Sequence, residues 1–365
     1  MKIDFANLQF QYQKYKKKID KNFQSVLNKS NYILGKEVEI LEKKLEKFTG
    51  AKYTITCSSG TDALLLALMA MDIQPGDEVI TTSFTWISTG EMIALLKAKP
   101  VFVDIEPDTY NINTNLIEKA ITKKTKIIMP VSLFGQPGDL DAIQSLANKY
   151  KLKVIIDGAQ SFGSTYKNKT DSNLGDISIT SFYPSKPFGC YGDGGAIFTN
   201  KKSYAEKLKM LRTHGQSQRN YHKYIGIGGR LDTIQAAILL AKLETFSKEL
   251  INRQKVAEYY TKNLFDILKT PFIKKNRKST WAQYTIRVEK RDSFQKKLKK
   301  KGIPTSVFYP IPLHLQECFK YLNYKKGDFL VSEKVAKEVI SLPMNPFLTK
   351  QQINYVISSI KEHIS

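Results

Sequence analysis

Apolar residues recur through the first half of the chain in short, dense runs. Val, Ile, Thr and aromatic residues crowd 53–57, 78–82, 100–105, 126–132, 153–157, 176–182 and 195–200, and runs this short and this rich in β-branched residues predict strands. Their apolar content is nearly continuous rather than alternating, which marks strands covered on both faces, as in parallel sheets. Between them the period lengthens. Residues 61–71 are Leu/Ala-rich behind a Ser-Ser-Gly-Thr-Asp start, 88–97 are amphipathic, and 139–150 carry Leu140, Ile143, Leu146 and Ala147 at helical spacing. Strand, helix, strand in repetition predicts a doubly wound α/β domain built on one mostly parallel seven-stranded sheet.

Upstream, 37–48 place Val38, Leu41, Leu45 and Phe48 on one helical stripe with lysines opposite, a helix expected to pack on the domain edge. Beyond residue 231 the pattern changes. A long helical period runs from 232 through 247 to about 264, then a strand at 283–289, a helix at 292–301, a Pro-rich loop at 308–313 and two further helices. These predict a smaller α+β domain. The expected division is an N-terminal segment with the large α/β domain over 1–240, and the small C-terminal domain over 241–365.

With 365 residues, 42% of them hydrophobic, the chain has material for a large core. No run approaches the ~18 apolar residues of a membrane span, and the N-terminus does not read as a secretory leader, so a cytoplasmic protein away from membranes is expected. Cys57, Cys190 and Cys318 lie far apart, and His214, His222, His314 and His363 form no i,i+4 pair, so neither a disulfide framework nor a metal site is expected. The net charge of +23 would suit a nucleic-acid binder, but only seven of the 57 basic residues are arginine and the lysines are spread over predicted helix faces. Sequence readers use arginine forks on a clustered basic face. Nucleic acid is therefore not an expected partner, whereas a small phosphorylated or nucleotide-linked ligand suits a basic surface.

The candidate chemistry centres on Lys186, set between the run 176–182 and the turn Gly192-Asp193-Gly194-Gly195. A lysine amine is protonated at neutral pH and a poor nucleophile until burial or neighbouring cations lower its pKa. Most of the fifty lysines are ordinary solvated residues; Lys186 differs by its apolar approach (Ile177, Ile179, Phe182) and by the glycines after it, which permit close backbone contact. Ser58-Ser59-Gly60-Thr61-Asp62 falls between a strand and a helix, where backbone N–H groups and the helix dipole attract an anion, although a plain N-cap explains it equally well. Asp157 ends its strand at the carboxyl edge, where ligands of doubly wound sheets sit; it suits a protonated ring nitrogen or a helix cap. Trp86 offers a stacking face for a planar cofactor or fills the core. Amine, acid, stacking face and phosphate cradle, with Ser181 just ahead of the lysine, together form the set that pyridoxal 5′-phosphate requires.

Over nearly its whole length the chain resembles the DegT-type sugar-nucleotide aminotransferases, which have the aspartate-aminotransferase fold (fold type I of the pyridoxal phosphate enzymes). The resemblance rests on Ser59-Gly60-Thr61-Asp62-Ala63-Leu64, Pro75-Gly76-Asp77-Glu78-Val79-Ile80, Asp157-Gly158-Ala159-Gln160-Ser161, the stretch 181–195, Arg230-Leu231-Asp232 and Tyr309-Pro310-Ile311-Pro312-Leu313-His314. It implies that Lys186 forms the internal aldimine and later shuttles a proton between the substrate carbon and the cofactor's C4′. It implies that Asp157 holds the pyridinium proton, Gln160 meets the phenolic oxygen, Trp86 stacks on the ring, and Gly60, Thr61 and Ser181 grip the phosphate. A homodimer with shared active sites is implied too, with Arg230 a substrate contact supplied by the partner chain and Tyr309 one from the same chain as Lys186.

The implied reaction passes an amino group from L-glutamate, through the pyridoxamine form of the cofactor, to a keto-sugar on a nucleoside diphosphate. The stretch 185–200 looks most like enzymes that aminate C3 of UDP-2-acetamido-2-deoxy-3-oxo-glucuronate for bacterial surface polysaccharide (lipopolysaccharide O-antigen), and Arg230 suits that sugar's carboxylate. Three alternatives stand beside it. One is an aminotransferase for a dTDP- or UDP-linked 3-keto- or 4-keto-6-deoxyhexose; another is a sugar dehydratase, whose relatives replace the lysine with histidine; the third is a non-catalytic regulator. The chain departs from the family pattern twice. Gly-x-Asn-x-Arg is here Gly226-Ile227-Gly228-Gly229-Arg230, without the asparagine amide, and the histidine that often precedes Tyr-Pro-x-Pro is here Phe308.

Overall fold

The computed structural model describes residues 1–364. Seven strands form its main sheet: β1 (Tyr53–Cys57), β2 (Glu78–Thr82), β3 (Lys99–Val103), β4 (Thr125–Met129), β5 (Lys153–Asp157), β6 (Ile177–Ser181) and β7 (Gly195–Thr199). They lie side by side in the order β1-β7-β6-β5-β4-β2-β3. Only β7 runs against its neighbours, pairing antiparallel with both β1 and β6. This exception has a local cause. The connection from β6 to β7 carries no crossover helix, so the chain must return in the opposite sense, and Lys186 sits on that return.

Adjacent residues on each strand serve opposite faces. Val79, Ile127 and Ile155 join a core with Leu64, Leu68 and Ile93 from helices α3 (Gly60–Ala70) and α4 (Ser88–Leu95). Ile80, Ile128, Val154 and Ile156 join another with Ile117 of α5 (Thr114–Ala120) and Ile143 of α6 (Leu140–Tyr150). Two buried faces explain why the strands read as unbroken apolar runs, and each Ile or Leu so buried contributes about 1.5–3 kcal/mol.

Three helices of this region have no counterpart among the predicted elements: α1 (Leu8–Lys29), α5 and α7 (Lys202–Leu211). The predicted helix near the N-terminus is α2 (Lys36–Thr49), which buries Val38, Leu41 and Leu45 against Phe198, Leu239 and Phe246. Its Glu42 accepts from the Thr56 N–H at 2.9 Å and from Arg212 at 2.6 Å, which fixes α2 on the edge strand β1.

The expected division at 240/241 falls inside α8 (Thr233–Leu264), one unbroken helix of 32 residues. Its first half packs with α2 and, through its own Phe246, joins the aromatic cluster of Phe162, Phe182 and Phe188. Its second half presents Val256, Ala257, Tyr260 and Leu264 to the C-terminal core, made by strands β8 (Tyr284–Arg287) and β9 (Val339–Leu342) with α9 (Arg291–Lys300) and α11 (Lys350–Ile364). Ile3 belongs to this core as well, so the two ends of the chain meet there. Asp104, just past β3, accepts from the N–H groups of Val331 and Ser332 at 2.9 Å and so caps α10 (Leu330–Glu338). The Leu313 N–H donates to Ser83 at 2.7 Å. These two ties draw the loop bearing Phe308 and Tyr309 over the carboxyl ends of the strands.

Candidate active site

The carboxyl ends of β1, β2, β5 and β6 border a cavity of about 370 Å³. Gly60, Thr61, Trp86, Asp157, Gln160, Ser181, Lys186 and Tyr309 all line it; Arg230 does not. Eight of the nine residues singled out in the sequence therefore meet in one place, contributed by widely separated parts of the chain.

Lys186 is held by backbone geometry and packing. Its N–H donates to the Tyr183 carbonyl at 2.9 Å, and Cys190 N–H returns to Phe182 at 2.7 Å. Phe188 anchors the same turn, 5.2 Å from Phe162 and 4.9 Å from Phe246 between ring centres, each such pair adding about 0.5–1.5 kcal/mol. Burial pushes the Lys186 ammonium down to about 8, while the Asp157 carboxylate acts in the opposite sense.

Asp157 is only 4% exposed. It accepts from the Thr89 hydroxyl at 2.8 Å and the Ala159 N–H at 3.1 Å, and no helix begins after it, so it caps a turn rather than a helix. Removal from water raises its pKa, against the pull of those two donors and of Lys186. An acid so placed gains by facing a cation.

The N-cap reading of the Ser58–Asp62 segment holds, and the same segment borders the cavity. Ser59 is the N-cap of α3, its side chain accepting from the Asp62 N–H at 2.9 Å, and the first turn, Gly60 and Thr61, opens on the cavity. A Cβ on Gly60 would stand 2.6 Å from that of Ser181, so glycine is what lets the helix start approach β6. The Thr61 hydroxyl lies 2.8 Å from that of Ser88. Gln160 accepts from the Phe134 N–H at 2.8 Å and donates to the Tyr309 hydroxyl at 2.9 Å, leaving its second N–H for a ligand. Burial raises the Tyr309 pKa beyond the ordinary phenol range. Trp86 is 58% exposed and lies 6.0 Å from the Tyr309 ring.

Arg230 stands on the loop whose Gly229 carbonyl accepts from the Ser58 N–H at 3.1 Å. Its Nε is buried without a hydrogen-bond partner. At Gly228, a Cβ would come 3.1 Å from the His214 ring. Phe308 gives the cavity an apolar wall.

Sequence reasoning passed over Thr89, Ser88 and Gln283. Thr89 follows Trp86 by three residues at the start of an amphipathic helix, and that spacing was the available signal. Nothing local marks Gln283. Among the lining residues Lys186 is the sole cation, beside the acids Asp157 and Asp193.

A lysine amine of lowered pKa, a buried acid, an open helix start with neighbouring hydroxyls and an exposed indole fit pyridoxal 5′-phosphate by donor chemistry and by close approach at Gly60. The fold and the site thus define an enzyme of the pyridoxal phosphate class. The chain belongs to the DegT/DnrJ/EryC1/StrS aminotransferase family, whose model matches residues 13–361; it is an aminotransferase and its cofactor is pyridoxal 5′-phosphate.

It is 50% identical over 359 residues to the UDP-2-acetamido-2-deoxy-3-oxo-D-glucuronate aminotransferase of Pseudomonas aeruginosa, covering 98% of this chain and 99% of that protein. It is 44% identical over 366 residues to a pleiotropic regulatory protein of Geobacillus stearothermophilus, covering 99% and 98%. The crystal structure of S. venezuelae DesV in complex with a ketimine intermediate shares 33% identity and superposes with a TM-score of 0.98 over 100% of this chain and 99% of that one. No helix among the described residues is long and apolar enough to cross a membrane.

Proposed function

We propose that this aminotransferase takes an amino group from L-glutamate and delivers it to C3 of UDP-2-acetamido-2-deoxy-3-oxo-D-glucuronate, in cytoplasmic synthesis of an amino sugar for bacterial surface polysaccharide. The observation that carries the reading is the meeting of Lys186 and Asp157 in one cavity beside the open start of α3. The half-identity over nearly the full length to an enzyme of that name supports the acceptor, and three free cysteines suit a reducing compartment.

Bound pyridoxal phosphate supplies an electron sink next to the substrate carbon. Lys186 would hold the cofactor through its amine and would serve as the base that moves a proton at the substrate carbon. Asp157 would keep a proton on the ring nitrogen, with Thr89 holding that carboxylate in orientation. The N–H groups of Gly60 and Thr61, with the Ser181 hydroxyl, would receive the phosphate. The free N–H of Gln160 would meet the phenolic oxygen, and the Trp86 indole would pack against the ring.

The enzyme is a homodimer in this reading. A phosphate and a sugar carboxylate need cations, the cavity of one chain offers only Lys186, and Arg230 lies off its own cavity with an unmet guanidinium nitrogen. The partner subunit's Arg230 then grips the acceptor carboxylate, and Tyr309 orients the sugar from the same chain.

The test uses cofactor-loaded enzyme. Adding glutamate abolishes the visible absorption of the lysine-bound cofactor, and the 3-keto-uronate then restores it with release of a 3-amino sugar. Transfer only to 4-keto or 6-deoxy acceptors would overturn the assigned acceptor.

A further inference from the structure

Gln283 lines the cavity together with Phe308, Tyr309 and Lys186, yet it has no part in the roles above. Its backbone is firmly placed just ahead of β8. Thr280 donates its hydroxyl to the Gln160 carbonyl at 3.0 Å and its N–H to Gly135 at 3.1 Å, and Tyr284 pairs with Leu342 in the β8–β9 ladder. Even so, the Gln283 Oε1 is buried and without a hydrogen-bond partner. Buried acceptors are nearly always met, and one left unmet in a rigid wall calls for a ligand or a water.

Resting on the nucleotide-sugar reading, we propose that Gln283 is a specificity-determining residue whose carboxamide oxygen accepts a hydrogen bond from an N–H or O–H of the bound sugar. Its neighbours favour this. Phe308 contributes no polar side-chain atom, Gln160 and Tyr309 are hydrogen-bonded to each other, and Asp157 is engaged by Thr89 and Ala159. The rival occupant is a water. A void of about 20 Å³ lies between Gln283 and Tyr110, whose hydroxyl is also buried without a partner, and such a void has room for one water.

The experiment measures binding of UDP-N-acetylglucosamine and UDP-glucose by calorimetry to cofactor-loaded wild type, Gln283→Leu and Gln283→Glu. Neither ligand carries a ketone, so neither turns over. Gln283→Leu is expected to weaken UDP-N-acetylglucosamine about 10-fold, Gln283→Glu, which keeps an acceptor at the same reach, to recover most of that loss, and all three proteins to keep the visible spectrum. A loss confined to UDP-N-acetylglucosamine assigns the donor to its acetamido N–H, and an equal loss for both ligands assigns it to a ring hydroxyl. Wild-type affinity in Gln283→Leu overturns the proposal and gives the oxygen to the water beside Tyr110. Equal loss in the Leu and Glu variants also overturns it, because the amide N–H would then be the group that matters. Failure of the wild type to bind either ligand removes the nucleotide-sugar reading and this assignment with it.

Discussion

At Lys186 two fields oppose each other: removal from water favours the neutral amine, and the Asp157 carboxylate favours the ammonium. Burial prevails, and the folded pKa falls to about 8. A depressed pKa leaves the nucleophilic form populated above that value and removes it below. Capture of added pyridoxal phosphate by cofactor-free protein should therefore quicken as pH rises through about 8 and level off beyond it; stopped-flow absorbance checks this, and a rise continuing towards the ordinary lysine range near 10.5 would show an unshifted amine. Lys186, Asp157 and Ser181 were legible in the sequence because strand ends and a Gly-rich turn mark them locally. Gln283, the Thr89–Asp157 bond and the Gln160–Tyr309 hydrogen bond were not, because each arises where elements far apart in sequence meet.

Among elements, the return from β6 to β7 does most to place the site. Gly195 opens β7, and a Cβ there would lie 2.4 Å from the Ser59 carbonyl oxygen, a backbone atom that cannot swing aside. Gly195→Ala should cost about 1–3 kcal/mol in a denaturant melt and also weaken cofactor retention, since Ser59 caps the cradle helix. Phe188→Ala should cost about 3–5 kcal/mol by emptying the aromatic cluster under the Lys186 turn, again measured by a melt; a loss below about 1 kcal/mol would mean that the cluster collapses around the gap. The seven strands were readable because each is buried on both faces. Helix α1 was not, because its 22 residues bury only Gln11, Ile19 and Val26 and its many lysines hide the stripe. Strand β9 was missed because it follows α10 directly at Val339, with no turn residue between helix and strand, although Pro343 closes its far end. The 240/241 division was placed by a change of pattern, but α8 contains no glycine or proline and carries one helix from the first core into the second.

For the whole molecule, the proposed homodimer rests on charge: Lys186 is the sole cation lining the cavity of one chain. If the partner's Arg230 serves each cavity, Lys186→Ala and Arg230→Ala homodimers should both be inactive, while a mixed dimer regains one working site, with Lys186 from one chain and Arg230 from the other. Activity that stays absent after subunit exchange, with exchange shown by mass, would place Arg230 in service of its own chain. The most direct measurement of the central claim is borohydride reduction of the cofactor-loaded enzyme followed by peptide mapping by mass. The pyridoxyl group is expected on the peptide containing Lys186 and on none of the other lysines; its attachment elsewhere, or no attachment at all, would contradict the account.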